Sequence, residues 1–123
     1  TSIVFWSNNS TNVYDFEPIS PIYIPNGYEI SEEWSSEYKN VIIYSDKDKN
    51  EIVYNQQAVT ESEHVFDSED IETEVINMNN IQVNILTKNS VTQVYWTDEK
   101  SIFFISGKDK NEIIKIVESI IKK

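Results

Sequence analysis

The chain of 123 residues has one histidine, His64, and no cysteine. A histidine-dependent triad or a zinc site would therefore rest on one imidazole finding distant partners. Disulfides, thiolate ligands and a cysteine nucleophile are excluded. His64 lies in an acidic stretch with few apolar anchors, whereas a tuned catalytic imidazole needs burial and specific neighbours. An ordinary surface histidine is the simpler reading. Asp46-Lys47-Asp48-Lys49-Asn50 opens like a calcium loop, with oxygen donors at alternate positions. Its sixth position holds Glu51 where a glycine must turn the chain, and its twelfth holds Gln57 where a glutamate must close the site. Flanking β-branched runs make it a solvated hairpin loop instead. Glu61, Glu63, Asp67, Glu69, Asp70, Glu72 and Glu74 could present carboxylates to a hard cation, but charge at that density marks an exposed segment. No carboxylate spacing argues for a glycosidase pair, which needs a fixed separation across a cleft. The expectation is a domain with no catalytic residues, no metal and no cofactor.

Aromatic side chains are the remaining candidates. Tyrosine and tryptophan join an apolar face to a polar tip, so an exposed pair on a sheet can hold a peptide, a carbohydrate or a partner protein. Trp34 and Tyr38 are the candidate binding residues. Strands also favour aromatics for packing alone, and Trp96, inside a regular apolar run, is expected in the core.

These side chains need a scaffold, and its elements are legible. Pro18, Pro21 and Pro25 keep their segment extended, and Asn26-Gly27 turns it. Tyr28, Ile30, Glu32 and Trp34 alternate with Glu29, Ser31 and Glu33, predicting a half-buried strand. Further strands are predicted at 41–44, 52–54, 74–78, 81–85, 91–96 and 101–106, with a tight turn at Asn79-Asn80. Glu61 to Asp70 reads as an exposed connection. After Gly107 the apolar period changes from two to 3.6. Ile113, Ile114, Ile116, Val117, Ile120 and Ile121 then fill one broad helix face, with Lys115, Glu118 and Ser119 opposite. Asp109 and Glu112 have the spacing of a capping box. The predicted fold class is α+β: an antiparallel meander of six to seven strands packed by one C-terminal amphipathic helix. Residues 18–123 form one domain, preceded by a segment 1–17 that reads as a strand and loop following a removed anchor.

Ten basic residues, all lysine, oppose 21 acidic ones, for a formal net charge of −11. Such a field repels polyanions, which excludes nucleic acid as a natural partner and disfavours anionic headgroups. No apolar run is long enough to span a bilayer. Any membrane contact is therefore expected through a segment upstream of Thr1, and the domain itself is expected to be monomeric.

The C-terminal half, from Glu72-Thr73-Glu74-Val75 through Tyr95-Trp96-Thr97-Asp98-Glu99-Lys100-Ser101-Ile102-Phe103-Phe104-Ile105-Ser106-Gly107 to Glu112-Ile113-Ile114-Lys115-Ile116-Val117-Glu118-Ser119-Ile120, resembles the family catalogued as domain of unknown function 4367. Tyr23-Ile24-Pro25-Asn26-Gly27-Tyr28 matches that family's Tyr-x-Pro-x-Gly-Tyr stretch. The likeness covers residues 18–123. It departs at Asn79-Asn80, where relatives commonly have Asn-Gly, which leaves the turn type open. The resemblance implies an extracytoplasmic domain of a low-GC Gram-positive bacterium, lipoprotein or membrane-anchored, and supplies no catalytic residues. The functional expectation is a non-enzymatic binding or sensing module for a protein, peptide or cell-envelope component. The alternative is an envelope lipoprotein or accessory domain that receives a lipid or peptide on its sheet face.

Overall fold

The computed structural model describes residues 16–58, 72–98 and 100–121. The strand expected near residue 3, the connection carrying His64, and the carboxylates from Glu61 to Asp70 lie outside the described residues.

Seven strands form one antiparallel sheet: β1 Glu29–Ser35, β2 Lys39–Ser45, β3 Glu51–Ala58, β4 Glu72–Met78, β5 Ile81–Lys88, β6 Val91–Thr97 and β7 Ser101–Gly107. A helix, α1, follows over Lys110–Ile121. Every pairing is antiparallel. The order is β1-β2-β3-β7-β6-β5-β4, so the single meander is corrected to two. The first runs β1 to β3 and the second β4 to β7, and β7 closes the sheet by pairing with β3. Periodicity fixes which residues share a face, but it cannot say which strands become neighbours.

Local chemistry accounts for the turns. Asn79 and Asn80 have φ of 51° and 68°, so the turn has two left-handed residues, the geometry that matches strand twist. Asn89 and Ser90 repeat it at 53° and 66°, between β5 and β6. Asp46 folds its carboxylate inward: Oδ1 accepts the amides of Asp48 and Asn50, each at 2.9 Å, and Oδ2 accepts Asn50 Nδ2 at 2.9 Å. The Asn50 side chain, then the Asn50 and Asp48 amides, hold this carboxyl below the usual range. The Asp46 oxygens are thus spent on the hairpin's own donors, and Asn50 Oδ1 accepts Lys108 Nζ at 2.9 Å.

The core lies between the sheet and α1. Ile42, Tyr44, Ile52, Tyr54, Val83, Ile85, Val94, Trp96, Phe103 and Ile105 point toward Ile113, Ile116, Val117 and Ile120. Trp96 is buried as expected, opposite Phe103 in the register and stacked on it with centroids 4.8 Å apart. Gly107 lets the helix approach: a β-carbon there would fall 2.8 Å from Ile113 Cδ1 and 3.2 Å from Ile52 Cγ1. No helix among the described residues is long and apolar enough to cross a membrane.

A second element covers this face. The extended residues 16–28 run beside α1 as a strap, and Ile19, Tyr23, Ile24 and Tyr28 pack on the core. Proline and the lack of a neighbouring strand among the described residues deny the strap a hydrogen-bond ladder there, and side chains hold it instead. Gln56, fully buried, accepts the Ile19 amide at 2.7 Å and donates to the Glu17 carbonyl at 2.9 Å and to Ser101 Oγ at 3.1 Å. Tyr54 donates to the Ile19 carbonyl at 2.6 Å. Ser119 Oγ accepts the amides of Ile22 and Tyr23, so Ser119 does not simply face solvent as its helical position suggested.

Two core phenols give a pH signature. Burial, reinforced by the Glu33 carboxylate, pushes the Tyr44 phenol up to about 12. Burial also raises Tyr54, with smaller contributions from Tyr44 and Asp98. An unfolded tyrosine titrates near about 10, so the stability these groups contribute is fully present below that pH. It is lost as pH rises through the folded values. Thermal melting is expected to hold steady from about pH 7 to 9 and to fall beyond about pH 10. The fall should be shallower in Tyr44→Phe. An unchanged fall in that variant would assign the loss to Tyr54 or to general charge repulsion.

Candidate functional site

The strand register assembles the sheet face turned away from α1. One cross-strand row runs Trp34, Val41, Asn55, Phe104, Tyr95, Asn84, Val75, each residue opposite the next and the row crossing all seven strands. A neighbouring row runs Glu32, Ile43, Val53, Ser106, Gln93, Leu86, Thr73. Among the described residues no helix or strand packs on this outer face. Its central side chains are half-buried and Leu86 is buried, while Trp34 and Val75 at its two ends are each 52% exposed. Asn55 Oδ1, between Val41 and Phe104, is buried with no hydrogen-bond partner among the described residues. A buried acceptor left unmet is costly.

Trp34 therefore lies on the outer face, where Glu32, Val41 and Ile43 join it around a shallow depression of about 320 Å³. Tyr38 is 42% exposed in the turn between β1 and β2. Its carbonyl accepts the Ala58 amide at 2.9 Å, tying the end of β3 to that turn, but its side chain does not line the Trp34 depression. Both candidates occupy one hairpin without forming one pocket.

The half-buried reading of β1 is corrected. All seven of its residues are exposed, because β1 is an edge strand and a bulge at Ser31 breaks its alternation. Ser31 Oγ donates to the Ile43 carbonyl at 3.1 Å and accepts Ser45 Oγ at 3.0 Å, which pins the bulge. The extra residue sends Ile30 and Glu33 to the helix side and Glu32 and Trp34 to the outer side. No periodicity could reveal this, although three glutamates without a lysine in one strand were a readable sign of an exposed edge.

A second concavity, missed from the sequence, opens where the strap meets the start of α1. It holds about 420 Å³ and is lined by Tyr23, Ile24, Pro25, Asn26, Tyr28, Ile52, Lys108, Asp109, Glu112 and Ile113. Asp109 Oδ1 caps α1 by accepting the amides of Asn111 and Glu112 at 3.0 and 3.3 Å. The reciprocal half of the expected capping box does not form. Glu112 instead accepts the Tyr23 hydroxyl at 2.6 Å and pairs with Lys115 at 3.2 Å, since a phenol offers a carboxylate a stronger bond than a backbone amide does. That bond holds the Glu112 carboxyl below its usual range, helped by Lys115, and it is the main cause of the raised Tyr23 phenol. Of the acidic cluster, Glu74 is seen paired with Lys110 at 2.7 Å.

The model of a family described as a domain of unknown function (DUF4367) matches residues 18–120. That span contains the strap after its first residues, all seven strands and nearly all of α1. Five residues of the Tyr23 to Tyr28 stretch line the strap cleft. No curated protein and no solved structure matches the chain.

Proposed function

The chain belongs to the family described as domain of unknown function 4367, and from that membership we propose that it is a non-enzymatic binding or sensing module. In this reading it works outside the cytoplasmic membrane of a Gram-positive bacterium, as part of a secreted, lipoprotein or membrane-anchored protein. It docks a protein or peptide through the Trp34 end of the outer sheet face. The observation that carries the proposal is the cross-strand row: an indole 52% exposed at its end with an aliphatic shelf of Val41 and Ile43 beside it. Exposed aromatics next to desolvated apolar surface are where binding energy concentrates.

The test uses the full-length protein in its native cells. Trp34→Ala and Tyr38→Ala are expected to weaken recovery of an envelope partner by about tenfold or more for Trp34 and less for Tyr38. Thermal melting should be nearly unchanged, because both residues are exposed. Equal recovery by all variants overturns the docking role. Fractionation of the protein with the cytosol alone overturns its proposed location.

The strap cleft favours a second reading, an envelope lipoprotein or accessory domain that receives a lipid or peptide. Its apolar walls, Ile24, Ile52 and Ile113, would take a chain, while Lys108, Asp109 and Glu112 at its rim favour a ligand with a polar end. Changes in the Tyr23 and Tyr28 ring signals on adding lipid micelles or peptide would distinguish this reading from docking at Trp34.

A further inference from the structure

Resting on the docking reading above, we propose that the occupant of the β1 edge is an extended basic segment of a partner protein, added as an eighth strand. Four observations converge on that edge. β1 is the outermost strand of the sheet at its end, so its outer amides and carbonyls face no described strand. Such an edge accepts an extended peptide through main-chain hydrogen bonds, and side chains then set the specificity. Glu29, Glu32 and Glu33 stand on it with no lysine in the strand, and no described cation pairs with any of the three. At the opposite edge, on β4, Glu74 is already paired with Lys110.

The bulge gives the partner a sequence pattern. It puts carboxylate and exposed apolar side chains on both sides of the strand: Glu33 with Ile30 toward α1, Glu29 and Glu32 with Trp34 on the outer face. Ile30 and Trp34 are 53% and 52% exposed. A strand laid alongside meets adjacent carboxylates flanked by apolar groups, so the complementary segment reads apolar, basic, basic, apolar. A second copy of this chain is the wrong partner. It would bring another acidic edge from a domain of net charge −11, and acidic residues with a bulge are how natural edges refuse self-pairing. The features that repel a like strand select a basic one.

The experiment records amide NMR shifts of the isotope-labelled chain while a short capped peptide is added. The peptide is built of threonine and valine with two central lysines, and its control carries two glutamates instead. The lysine peptide is expected to shift amides across residues 29–35 and their β2 partners, with binding that weakens steeply between about 50 and 500 mM salt. Glu32→Lys combined with Glu33→Lys should weaken it by about tenfold or more and should admit the glutamate peptide in its place. Both positions are exposed, and unchanged core amides verify that the variant is folded. The inference is overturned by shifts confined to other strands, by equal binding of both peptides, by indifference to the charge reversal, or by concentration-dependent pairing of β1 with a second copy. If the lysine peptide fails at β1 while Trp34→Ala still abolishes partner recovery, this inference falls and the docking reading stands. Failure of both removes the docking reading as well.

Discussion

Replacing Ile116 with aspartate unfolds the domain. Ile116 is fully buried on α1, in one cluster with Trp96, Phe103 and Ile105. The variant loses the isoleucine's burial, about 3 kcal/mol, and places a carboxylate where no described cation stands. An unpaired buried charge costs several kcal/mol more. Together these approach or exceed the roughly 5–15 kcal/mol that holds a typical domain together. The expected result is loss of the cooperative thermal transition and of the near-ultraviolet signal from the stacked Trp96 and Phe103 rings. Asn111→Asp, in the exposed first turn of the same helix, adds the same charge and should change stability by no more than about 0.5 kcal/mol. Near-normal melting of the Ile116 variant would mean that α1 is not docked on the sheet.

The second large effect concerns the strap. Gln56→Leu keeps the side-chain volume nearly constant but removes an acceptor and a donor that serve three partners: the Ile19 amide, the Glu17 carbonyl and Ser101 Oγ. Groups left unmet in a buried setting cost about 1–3 kcal/mol each. Because Glu17 is exposed and water can reach its carbonyl, a total near 3 kcal/mol is expected. That loss should lower the melting temperature by roughly 10 °C for a domain of this size. Hydrogen exchange separates a local effect from a global one. The Ile19 and Tyr23 amides should lose protection first, while β3, β6 and β7 stay protected until global unfolding. Ser101→Ala removes one bond of the three and should cost about 1 kcal/mol. Equal protection of the strap in wild type and Gln56→Leu would show that the apolar contacts of Ile19 and Tyr23 hold it unaided.

The sequence by itself determined the elements and their chemistry: strands of period two, a helix of period 3.6 after Gly107, a hairpin loop rather than a calcium site at Asp46, and a tight turn at Asn79-Asn80. It also named Trp34 and Tyr38 as candidate binding aromatics, and the structure exposes both. Each of these is set by interactions within a few residues, so a local pattern carries it. Only the tertiary structure decided that β7 lies beside β3, that Gln56, Tyr54 and Ser119 replace a strand ladder for the strap, and that Glu112 turns from its capping box to Tyr23. These contacts join residues 35 to 97 positions apart. The β1 bulge belongs with them, because Ser31 is pinned by Ile43 and Ser45 on the neighbouring strand. Alternation in the sequence implied that Ile30, Glu32 and Trp34 share one face. Pairing with β2 parts them, and so gives the candidate edge carboxylate and apolar groups on both of its sides.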